Sequence, residues 1–79
     1  MITTFIKTVD HIDSVVMEAY ERFAKGFRVN TESKSILFYN EAFGVFLIAY
    51  VDLDLDLEEV KIIISNRFKE LDEIHGEEG

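Results

Sequence analysis

Asp52, Asp54 and Asp56 have the one-three-five spacing with which a calcium-binding loop begins, offering hard oxygen donors on alternate residues. Such a loop also needs glycine at its sixth position, for a sharp turn, and a bidentate glutamate at its twelfth. Counted from Asp52, those places hold Leu57 and Ile63. The aspartates alternate instead with Leu53, Leu55 and Leu57, the pattern of a strand end with one wet side and one dry side. His11 with Asp10 and Asp13 makes only a partial metal set. His75 falls near the end of a helical pattern, where the helix dipole favours a cation. The chain has no cysteine, no Gly-x-Ser-x-Gly turn and no glycine-rich phosphate loop. The expectation is a protein that is not an enzyme and holds neither metal nor cofactor.

Charge is more informative than any of these clusters. The net charge is −8, and it is unevenly placed. Residues 1–51 carry six acidic and five basic side chains, whereas residues 52–79 carry ten acidic ones against Lys61, Arg67 and Lys69. Phosphates reward Lys and Arg, so this balance argues against direct binding to nucleic acid or to an anionic membrane. It suits a basic protein partner. The opening MITTFIKTVDH lacks the basic-then-apolar layout of a secretory signal, and no apolar window approaches the ~20 residues of a membrane span. A soluble, cytoplasmic protein is expected.

Seventy-nine residues make one domain near the lower size limit for independent folding. A hydrophobic content of 48% is enough for a core, but without cysteine no disulfide can support it. Packing must suffice, completed if necessary by a second copy.

Helical periodicity begins at Asp10, a candidate cap. Ile12, Val15, Val16, Ala19, Tyr20 and Phe23 form one apolar face, and Gly26 sits where a left-handed C-terminal residue belongs. Phe27 to Asn30 reads as a short strand and Thr31 to Lys34 as a polar turn. Strands over Ser35–Tyr39 and Val45–Leu53 follow, joined through Asn40 and Gly44. Asp56 caps a second helix, Leu57 to His75, whose broad apolar face gathers Leu57, Val60, Ile63, Ile64, Phe68, Leu71 and Ile74. Gly76 can close it, leaving Glu77-Glu78-Gly79 to fray. Residues 2–9 fit an extra leading strand, ended by Asp10, better than a backward continuation of the first helix through Phe5 and Val9. The expected fold is a single α+β domain over residues 1–79. Its order is α-β-β-β-α, with a three-stranded antiparallel sheet flanked by two helices.

Two surfaces follow from this outline. Glu59, Asn66, Glu70 and Glu73 fall opposite the apolar face of the last helix, with Ile62 among them; Glu58 and the Asp52, Asp54, Asp56 rim adjoin. These nine residues are the candidate partner-binding site. The long strand Val45–Leu53 is apolar on both sides, so helices over Leu47, Ala49 and Val51 leave Phe46, Ile48 and Tyr50 as a candidate homodimer face.

The α-β-β-β-α order resembles the double-stranded RNA-binding domain. That family grips phosphates with lysines at the start of its second helix. Here that place reads DLDLDLEEVK, inverting the charge, so the resemblance implies the element order and not RNA binding. In size, acidity and outline the chain also resembles small phage-encoded inhibitors of the anti-CRISPR type. That resemblance implies a carboxylate-rich face that blocks a basic nucleic-acid-binding site, for instance on a nuclease complex. The other expectation is a homodimeric structural or regulatory module.

Overall fold

In the computed structural model, which describes residues 1–76, the chain runs β1 (Ile2–Ile6), α1 (Val9–Glu21), β2 (Gly26–Asn30), β3 (Ser35–Asn40), β4 (Gly44–Val51) and α2 (Leu57–Gly76). Glu77, Glu78 and Gly79, the residues expected to fray, lie outside the described residues. The α+β class agrees with the sequence reading, but the sheet does not. It has four strands in the order β1-β4-β3-β2, not three. The β2, β3 and β4 strands form the expected antiparallel meander. Residues 2–6 add a fourth, parallel strand beside β4, with Ile2 opposite Leu47 and Ile6 opposite Val51.

Local chemistry sets the element ends. Thr8, rather than Asp10, caps α1; its backbone is extended and its hydroxyl accepts a hydrogen bond from His11 N–H at 3.2 Å. At the other end Phe23, not Gly26, takes the left-handed conformation (φ 64°). That rotation throws Phe23 off the apolar face of α1 and leaves it 83% exposed. Gly26 opens β2 instead, where the Tyr39 ring lies so close that a Cβ would meet its hydroxyl at 2.6 Å. Asn30 Oδ1 accepts from Glu32 N–H and Ser33 N–H to shape the first hairpin, and Asn40 Oδ1 accepts from Phe43 N–H to shape the second. Gly44 closes that second turn at φ 70°, with open space around its Cβ position. Gly44→Ala therefore adds strain and no clash. Urea unfolding should register a loss of about 1–2 kcal/mol, the cost of a left-handed Cβ.

The strand β4 ends at Val51, two residues before the expected Leu53; Asp52 N–H still donates to Ile6 O, and the chain then bends toward α2. Asp56 caps α2, accepting at Oδ1 from Glu58 N–H at 3.2 Å.

Both helices contribute to one core on one face of the sheet. Ile6, Ile36, Phe38, Leu47, Ala49 and Val51 meet Ile12, Val15, Val16 and Ala19 from α1, and Val60, Ile64 and Leu71 from α2. The ring of Phe68 stacks on Phe27, with centroids 6.1 Å apart and planes 10° apart, and stands 6.1 Å from Phe38 and 6.3 Å from Tyr20. Ile74 does not join this face and is 59% exposed. At 100° per residue it sits on the shoulder beside the acids.

Candidate functional site

The exposed side of α2 begins where its buried side is satisfied. With Val60, Ile64 and Leu71 turned to the sheet, helical geometry sends Glu59, Ile62, Asn66, Glu70 and Glu73 outward as one stripe, and all five are exposed. Glu58 and the three aspartates of the preceding segment are exposed as well. Between those aspartates, Leu53, Leu55 and Leu57 are half-buried against the core, which preserves the alternation although residues 52–56 form no strand. All nine residues of the candidate partner site thus lie on the surface, five along the helix and the rest at its N-terminal end.

Little of this acidity is neutralised internally. Among the described residues Glu70 is the one member of the nine with an ion pair, to Arg67 Nη1 at 3.0 Å. Arg67 also reaches Asp13 Oδ1 on α1, its Nε 3.5 Å away, so this half-buried guanidinium ties the two helices together. The other described ion pair, Lys25 with Glu41, joins the loops at the opposite end of the hairpin. Ile62, 57% exposed, stands within the stripe near its N-terminal end.

The clusters that could have held a metal do not assemble. Among the described residues no three His, Asp or Glu side chains come together as a metal ion would require. His75 lies against the Tyr20 ring, with centroids 5.3 Å apart. Both rings line an open groove of about 1280 Å³, bordered by Phe23, Phe27 and Phe68 and by the charges of Glu21, Lys25, Lys69 and Asp72. Periodicity places Tyr20 and Phe23 on one helix face, Phe27 on a strand and Phe68 on the other helix, and does not indicate that they share a groove. The signal was there in the inward placement of Tyr20, Phe27 and Phe68, but the α1–α2 approach that gathers them is tertiary.

The candidate dimer residues divide. Ile48 and Tyr50 stand on the sheet face away from the helices, half-buried among their strand neighbours. Phe46 packs against the core cluster. The pairing slips beside it, from Phe38–Leu47 to Tyr39–Val45, and this bulge breaks the alternation that would align Phe46 with Ile48 and Tyr50. Phe5 joins those two instead, its ring stacked on Tyr50 at 5.5 Å.

Among the described residues no helix is long and apolar enough to cross a membrane. No protein-family model matches the chain, and neither a curated protein nor a solved structure is detectably similar to it.

Proposed function

We propose that the chain is a non-enzymatic inhibitor of the anti-CRISPR type, encoded by a phage or mobile element, whose acidic α2 face occupies a basic nucleic-acid-binding site on a partner protein. The observation that carries this reading is the line of exposed carboxylates from Asp52 to Glu73, largely without internal cations. From Glu59 to Glu73 the stripe spans 14 residues, about 21 Å of helix, a length that can track several phosphate positions in a groove. Ile62 supports a protein surface as the target, because an apolar side chain amid charges gains from burial against a partner and gains nothing from bulk water. The bulk charge supports it too: a chain at −8 is repelled by nucleic acid and attracted to what binds nucleic acid.

Affinity capture from the native host, read by mass spectrometry, tests the reading. The expected catch is a basic protein that is released as NaCl rises from about 0.1 to 0.5 M, because screening shortens the reach of exposed charges from the ~10 Å that holds at 0.1 M. The purified chain should also displace nucleic acid from that protein. A captured protein that keeps its nucleic acid, or that elutes independently of salt, would count against the proposal.

A further inference from the structure

We infer that the uncovered face of the sheet is an interface for a second copy of this chain, the two copies packing sheet against sheet with their helices outward. The inference is independent of the role proposed for α2.

The face is apolar and pre-shaped. Alternation from the buried Ile6, Ile36, Phe38, Ala49 and Val51 directs Phe5, Leu37, Tyr39, Ile48 and Tyr50 to the other side of the sheet, where neither helix lies. Phe5 remains 55% exposed even though its ring stacks on Tyr50. Tyr39 folds flat over Gly26, and the Arg28 guanidinium carbon lies 5.4 Å from the centre of its ring. The smallest extent of the molecule is 16 Å, the thickness of one sheet and one helix layer. Nothing in the described chain supplies a third layer.

Charge selects the occupant. A chain with 16 acidic residues has none in any of its four strands. The single strand charge is Arg28, set against the Tyr39 ring. A nucleic acid would need more cations than this face offers, and a basic protein is drawn to the opposite side of the molecule. A second copy needs neither, and sheet-to-sheet packing keeps the two acidic α2 stripes on opposite outer surfaces.

Area sets the strength. Four strands about 4.8 Å apart and five residues long project onto roughly 300 Å², or about twice that as accessible surface. Two such faces bury on the order of 1,200 Å², the low end for a specific interface. The expected dimer is micromolar.

Sedimentation velocity of the full chain from about 1 to 500 µM provides the test. The mass should rise from 9.2 kDa toward twice that value. Tyr50→Glu should hold the chain monomeric throughout, with far-ultraviolet circular dichroism confirming the fold. Phe5→Ser, at an exposed edge-strand position, should weaken association at least tenfold and remains informative if Tyr50→Glu does not fold. Phe43→Ser, on the exposed turn outside the strands, should change nothing. Raising NaCl from 0.05 to 0.5 M should tighten the dimer a few-fold by screening the mutual repulsion of two −8 chains. This is the reverse of the salt response expected for α2, so failure of one reading is distinguishable from failure of the other. A wild type that stays at 9.2 kDa overturns the inference, whatever other protein is later found on that face. So does a dimer indifferent to both Tyr50→Glu and Phe5→Ser, or one that dissociates as salt rises.

Discussion

Replacing Phe68 with alanine is expected to remove about 3 kcal/mol of stability and to lower the melting temperature by roughly 12–24 °C. Phe→Ala changes in cores cost about 3–5 kcal/mol, and the lower figure applies because Phe68 is half-buried. The conversion to temperature follows from the small unfolding entropy of a domain under 100 residues. The loss extends beyond one side chain's burial. Phe68 is the ring through which α2 touches Tyr20 of α1, Phe27 of β2 and Phe38 of β3 at once, so its removal loosens α2 from three other elements and opens the groove between them. For a domain whose whole stability is of the order of 5–15 kcal/mol, that is a large fraction. A melting point lowered by less than about 4 °C would show that α2 is anchored by Val60, Ile64 and Leu71 alone.

The triple reversal of Glu59, Glu70 and Glu73 to lysine is expected to weaken partner binding by about a hundredfold or more while leaving the fold intact. Each exposed ion pair contributes about 0.2–1 kcal/mol, and each reversal replaces such an attraction with a repulsion of similar size. Three of them sum to several kcal/mol, and 1.4 kcal/mol is tenfold in affinity. Each reversal adds two units of charge, moving the net from −8 to −2. Folding should tolerate this, since all three side chains are exposed and only Glu70 gives up an internal partner, Arg67. Titration calorimetry against the captured protein, alongside circular dichroism, measures both arms. Undiminished affinity in a folded triple variant would remove α2 as the docking face.

Local pattern made much of this architecture legible. The apolar spacings of Ile12, Val15, Val16 and Ala19, and of Val60, Ile64 and Leu71, identify the buried faces of both helices. The asparagines and Gly44 mark the hairpins, and Asp56 marks the start of α2. What escaped was decided by distant contacts. Residues 2–6 become a strand because β4, some 45 residues later, offers a parallel edge, and no turn residue encodes a partner so far away. The Asp10 cap lost to Thr8, two residues earlier, once β1 had fixed where the chain leaves the sheet. Phe23 and Ile74 follow helical spacing in the sequence, yet Phe23 lies past the end of α1 in a left-handed turn and Ile74 lies on the exposed last turn of α2. The same reasoning holds for the surface. Exposure of the acidic residues could be read from periodicity, whereas Phe46 turned toward the core because of one slipped residue pair.

The parallel pairing of β1 with β4 also sets an order of events as the chain is made. Residues 2–6 emerge ahead of β4 and have no strand to join until Leu47 to Val51 have followed them. At ribosomal rates of about 5–20 residues per second, that wait lasts roughly 2–9 s. During it ITTFI is an unpaired segment with strong strand character, while α1 and the β2–β3 hairpin can already fold locally. Docking of this strand carries the highest loop-closure entropy in the sheet.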